Sequence, residues 1–116
     1  MRDEAALITE FLADKSREEF KKDIAKEKAV AMCFTVLGEL EHTIDDDFKK
    51  KYPDVPWAMM RRVRNLIAHS YFSIDFDRLW EIARYDVPIL ISLLNDIIEK
   101  ENYGTIEEAI SEYEDE

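Results

Sequence analysis

The sequence predicts an all-α fold, an antiparallel bundle of four to five helices. Apolar residues recur at intervals of three and four along most of the chain, the spacing that lines one face of an α-helix. Only 2 Gly and 3 Pro occur in 116 residues, so long regular elements face few interruptions. No segment alternates apolar and polar residues for long enough to make a convincing strand. The length is that of one domain, expected to span residues 1–116 and to end in a disordered acidic tail at 112–116.

Each element has its own signal. Ala5, Ile8, Phe11 and Leu12 predict a short first helix over 3–13. Ser16 with Glu19 three residues later reads as a capping box, in which each residue satisfies a backbone N–H of the other. A second helix should run from there to about residue 44. Its stripe is Val30, Cys33, Leu37, Leu40 and Ile44, with Phe20 and Ile24 ahead and Met32 and Val36 widening it. Gly38 in the middle of this helix costs roughly 1 kcal/mol against Ala, which the close approach of another helix would explain.

Residues 45–52 are polar and read as a helical extension that frays. Pro53 and Pro56 mark a turn, and Pro56 suits a helix start because the N–H it lacks has no partner there. A third helix follows over 57–68, burying Trp57, Met60, Val63 and Ile67. Asp75 is placed to cap a fourth, with Phe76, Leu79, Trp80, Ala83, Val87, Leu90, Leu94 and Ile97 on one face. Pro88 should kink it, since the ring clashes with the carbonyl four residues back. Residues 102–104 should stop it, and Thr105 with Glu108 should open a short last helix.

Several classes of function are excluded or disfavoured. Cys33 is the single cysteine, which rules out a disulfide framework and a cysteine-based metal site. No metal is expected otherwise, because His42, His69 and scattered carboxylates show no ligand spacing. No cofactor is expected, since there is no glycine-rich phosphate loop. The N-terminus alternates charged and apolar residues, unlike a secretory signal, and no apolar run reaches the ~18 residues of a membrane span. A cytoplasmic protein with no membrane partner is the expectation.

Net charge is −11, which alone argues against a nucleic-acid partner. Its distribution argues otherwise. Residues 49–64 carry six Lys/Arg and one Asp, while the flanking segments are both strongly acidic. Lys49, Lys50, Lys51, Arg61 and Arg62 are therefore candidates for binding RNA phosphates. Solvated helix faces and a solubilising turn are the alternative readings of the same residues. His42 should face solvent.

This basic stretch leads into Arg64, Asn65, His69 and Tyr71. Arginine presents a planar fork of donors that matches a phosphate, and histidine gives and takes protons near neutral pH. An RNA-cleaving site needs both properties, and a histidine at a helix end can also serve simply as a cap. Asn65 precedes His69 by four residues and could hydrogen-bond the imidazole or a substrate. Five residues of regular helix rotate a side chain by roughly 140° beyond a full turn. Either the helix ends before His69, or an arginine and a histidine from two subunits meet in a shared cleft.

The residues Pro53-Asp54-Val55-Pro56-Trp57, then Arg64-Asn65-Leu66-Ile67-Ala68-His69-Ser70-Tyr71-Phe72 and Leu79-Trp80-Glu81-Ile82, resemble the HepT-like branch of the HEPN superfamily. Leu37-Gly38-Glu39 fits the same pattern, and the resemblance covers about residues 17–98. It implies a dimeric HEPN-like bundle whose third helix ends at the Arg-x4-His motif. The implied activity is that of a metal-independent endoribonuclease toxin. The implied partners are RNA, a second copy of the chain and a minimal nucleotidyltransferase (MNT-type) antitoxin. By the same resemblance Arg64 and His69 are catalytic, Asn65 supports them, and Tyr71 is the hydroxyl that the antitoxin modifies with AMP. The alternative is a catalytically silent HEPN module that docks a nucleotidyltransferase or a nucleotide.

Overall fold

Helices are what the chain forms throughout the computed structural model, which describes residues 1–70 and 73–101 and contains no strand among them. In chain order they are α1 (Arg2–Leu12), α2 (Arg17–Lys22), α3 (Ile24–His42), α4 (Asp46–Lys51), α5 (Trp57–His69), α6 (Phe76–Glu81), one π-helical turn (Ile82–Asp86) and α7 (Val87–Lys100). The stop expected at 102–104, the last helix from Thr105 and the tail at 112–116 lie outside the described residues, as does Tyr71.

The expected capping box is present. Ser16 Oγ accepts from Glu19 N at 3.2 Å, and Ser16 N donates back to the Glu19 carboxylate at 3.4 Å. The helix it opens does not run unbroken to residue 44, however. Asp23 leaves helical geometry at φ −102°, ψ 87°, and its carboxylate accepts from Lys26 N to cap a new helix. Aspartate competes for backbone donors in this way wherever a cap is available. The break also splits the predicted stripe. Phe20 is fully buried while Ile24 is left 65% exposed.

α3 is the central element, packing on α1 along one side and most extensively on α5 along another. It therefore buries residues on more than one face: Val30, Cys33 and Leu37 as expected, and also Ala31 and Phe34. Met32, expected in the core, is exposed instead. Gly38 lies against Arg64, and Glu41 reaches Arg61, so residue numbers rise along α3 as they fall along α5. The pair is antiparallel. α2 and α6 are antiparallel too, through Arg17 with Glu81 and Lys21 with Asp77.

Pro88 is accommodated without the expected clash. The π turn ahead of it moves the Val87 N–H to the Ile82 carbonyl, and Pro88 falls in the first turn of α7. There the missing N–H costs nothing. The predicted core face of this long helical run is otherwise kept, with Leu79, Ala83, Val87, Leu90, Leu94 and Ile97 all buried.

Candidate active site

The site is built on α5. Trp57, Met60, Val63 and Ile67 are buried, so this helix is anchored along one face and presents Arg61, Arg62, Leu66 and His69 to the outside. The Trp57 indole N–H donates to the Tyr52 carbonyl at 3.0 Å, which pins the turn through Pro53 and Pro56 to the helix start.

Arg64 lies where α5 crosses α3 at Gly38. A Cβ built on Gly38 would stand 2.2 Å from Arg64 Cβ and 2.7 Å from its Cγ. The glycine is there because the arginine stem occupies the space a side chain would need. Beyond that contact the guanidinium is held on two sides. Arg64 Nε donates to Glu39 Oε1 at 2.8 Å, with Nη2 2.7 Å from the same oxygen, and Nη1 donates to Asn65 Oδ1 at 3.1 Å. Asn65 thus hydrogen-bonds Arg64; among the described contacts it makes no bond to His69.

His69 is the last residue of α5 and is exposed. The chain turns immediately after it, with Ser70 N donating to the Leu66 carbonyl and Ser73 N to that of Ser70. Because α5 remains regular through His69, the option of a helix that ends before the histidine is not what forms. On one copy, Arg64 and His69 face directions roughly 140° apart.

The basic segment is divided in an unexpected way. Glu41, on α3, is fully buried and receives Arg61 through Nε at 3.2 Å and Nη2 at 2.9 Å, together with the Lys49 ammonium. Burial pushes the Glu41 carboxyl up, but hydrogen bonds from Arg61 and Lys49 outweigh it and hold the group below the usual carboxylate range. Lys51 pairs with Glu101 at 2.7 Å, and the Tyr52 hydroxyl donates to that same carboxylate. Lys49, Lys51 and Arg61, all candidates for RNA contact, therefore have internal partners. Lys50 and Arg62 make no ion pair among the described residues.

Sequence reasoning missed Glu39 and Glu41. Glu41 had a legible signal, since it follows Leu37 by four residues on a buried stripe, where a carboxylate must find cations. Glu39 had none beyond its place beside Gly38. His42 is exposed as expected. Among the described residues no group of three His, Cys, Asp or Glu is placed to hold a metal ion, and no helix is long and apolar enough to cross a membrane.

Comparison with known proteins places the chain in a family. The model of the HepT-like ribonuclease family matches residues 1–97, which adds α1 to the span carrying the sequence resemblance. The chain is 38% identical over 91 residues to "Putative RNase MJ0127" of Methanocaldococcus jannaschii, covering 78% of this chain and 75% of that protein. It is 36% identical over 84 residues to "Probable ribonuclease HepT" of Thermococcus cleftensis, covering 72% and 76%. No solved structure matches it. On the strength of this match over residues 1–97 and of these relatives, the chain belongs to the HepT-like ribonuclease family.

Proposed function

We propose that the protein is a metal-independent endoribonuclease, acting as the toxin of a HEPN/MNT-type toxin–antitoxin pair in the cytoplasm. The observation that carries this reading is the state of Arg64. Its stem is fixed by the Gly38 crossing and its guanidinium is aimed by Glu39 and Asn65, yet the side chain stays 38% exposed, open to a phosphate. A preorganised cation of this kind stabilises charge as it develops on a phosphorus centre. The exposed imidazole of His69 supplies the proton transfers.

In the reaction, His69 takes the proton of a ribose 2'-hydroxyl as its oxygen attacks the adjacent phosphorus. Arg64 neutralises the equatorial oxygens of the pentacoordinate state. The bond from phosphorus to the 5'-oxygen breaks, that oxygen takes a proton from water, and the His69 imidazolium returns its own proton to solvent. The products are a 2',3'-cyclic phosphate and a 5'-hydroxyl, with no oxidant or co-reactant consumed. Since Arg64 and His69 diverge on one regular helix, the working pair is formed between two copies across a shared cleft. Tyr71 follows His69 by two residues. AMP added there by a nucleotidyltransferase antitoxin would put negative charge beside the phosphate site and oppose RNA binding.

The test is to incubate the purified protein with end-labelled RNA in EDTA, beside Arg64→Ala and His69→Ala. Cleavage that persists under chelation and is lost in both variants supports the enzyme. Intact RNA throughout would instead indicate a silent module that docks a nucleotidyltransferase or a nucleotide. Mass spectrometry of Tyr71 after co-expression with a neighbouring nucleotidyltransferase tests the switch.

A further inference from the structure

Of the three arginines on α5, Arg61 is committed to Glu41 and Arg64 to Glu39. Arg62 is exposed and makes no ion pair among the described residues. Its position is informative. Seven residues of regular helix turn through about 700°, within roughly 20° of two full turns, and rise by about 10 Å. Arg62 and His69 therefore share one face of α5, whereas Arg64 looks elsewhere. Between them on that face stands Leu66, 62% exposed, and one turn before Arg62 stands the exposed Ala58.

At its Ala58 end this face opens into a groove of about 500 Å³ between α4 and the first turns of α5, whose rim includes Lys50 and Arg62. Lys49 and Arg61 also line it, but both are paired with the buried Glu41, Arg61 while still half exposed. The groove thus carries two cations answered by one buried carboxylate and two, Lys50 and Arg62, with no ion pair among the described residues. In a chain of net charge −11 this rim is a local exception.

We propose that this groove is a second phosphate subsite for the RNA strand cleaved at His69. The strand runs from the imidazole over Leu66, with its sugar or base edge on the apolar side chain, and Arg62 and Lys50 take phosphates upstream or downstream of the reacting one. Lys49 and Arg61 hold the groove's shape and make no phosphate contact of their own. Arg62 is on this account a positioning residue: it secures the strand and leaves the chemical step to others. The proposal rests on the ribonuclease reading for its substrate.

Binding of a fluorescein-labelled single-stranded RNA, followed by anisotropy, tests it in a His69→Ala background that leaves the probe intact. Between about 0.2 and 0.5 M salt, Arg62→Ala and Lys50→Ala should each weaken binding about three- to tenfold and lower the slope of log Kd against log salt by about 0.7, the loss of one phosphate contact to a single strand. Arg62→Lys should recover most of the slope. Arg84→Ala, which removes an exposed cation on the π turn, should change the slope little. With cleaving protein, Arg62→Ala should raise KM and leave kcat nearly unchanged.

Unchanged Kd and slope in Arg62→Ala and Lys50→Ala overturn the subsite, as does an equal loss in Arg84→Ala, which would mean that only total charge matters. If the parent cleaves RNA while these variants bind normally, the ribonuclease reading stands and the subsite falls. If the parent never cleaves yet the two variants lose binding, the subsite stands and the ribonuclease reading falls. Absence of any RNA binding overturns both.

Discussion

Gly38 and Arg64 share a space that holds only one side chain: a Cβ on the glycine would lie 2.2 Å from the arginine's Cβ and 3.1 Å from the Met60 carbonyl oxygen. The obstruction is a stem held within a helix, so it has little room to yield. Ala would gain roughly 1 kcal/mol in helix propensity over Gly, against an overpacking cost of about 1–3 kcal/mol. Gly38→Ala should be destabilising by up to about 2 kcal/mol in urea unfolding. It should also lower RNA cleavage more than the stability loss explains, because Arg64 is what must move.

Glu39 both aims the Arg64 guanidinium and competes with an incoming phosphate for its exposed side. The pair is partly exposed, with side-chain accessibilities of 38% and 55%, so it contributes less than about 1 kcal/mol to stability. Glu39→Gln should leave urea unfolding nearly unchanged and lower KM for RNA severalfold, since the substrate no longer displaces a carboxylate. A rise in KM would show that Glu39 aims Arg64 more than it competes for it.

Glu41 should give the fold a pH dependence. Its folded-state pKa is depressed, with the hydrogen bonds from Arg61 and Lys49 outweighing burial. Its contribution is therefore fully present above the unfolded carboxylate value of about 4.3 and is lost as pH falls through the lower folded value. Glu41→Gln leaves two cations without their charge partner and should cost about 3 kcal/mol near pH 7. The difference from the parent should shrink as pH falls below the unfolded carboxylate value in parallel urea titrations.

The neighbours Arg61 and Arg62 should separate cleanly. Arg61→Ala weakens the partnering of a fully buried carboxylate and should cost about 2 kcal/mol. Arg62→Ala touches no such partner and should fall within about 0.5 kcal/mol of the parent. Thermal unfolding of the two variants side by side is sufficient.

Cys33 should be chemically quiet in the folded protein. Burial, with the nearby Glu4 carboxylate second, pushes its thiol up to about 11, and the thiolate is the reactive form. Iodoacetamide at pH 8 should leave it unmodified in the native state and modify it fully in urea, as read by intact mass.

Much of the architecture was legible from residue spacing, and each miss has a definite cause. Trp57, Met60, Val63 and Ile67 were assigned correctly because α5 packs with one face only. Met32 was misplaced because α3 contacts two neighbours at different angles, so its apolar residues do not define one stripe. The break at Asp23 was hidden by good helix formers on both sides, and only a side-chain cap reveals it. Gly38 signalled a close crossing without naming what crosses. The Arg64–His69 motif could be read directly, but its carboxylate partner Glu39 comes from another helix. For the same reason the basic segment looked uniform in sequence, although Lys49, Lys51 and Arg61 are answered by carboxylates from α3 and beyond α7.

That division of the basic segment bears on how ionic strength should govern encounter with RNA. At about 0.01 M salt the Debye length is near 30 Å, long enough for the whole acidic body to repel a polyanion. Near about 0.15 M it shortens to roughly 8 Å, which mutes distant acids while sparing Lys50, Arg62 and Arg64 at contact range. Above that, counterion competition removes the contacts themselves. Affinity should therefore rise and then fall as salt is added, with an optimum at intermediate ionic strength. A uniformly basic RNA binder, which only weakens with salt, would show no such maximum.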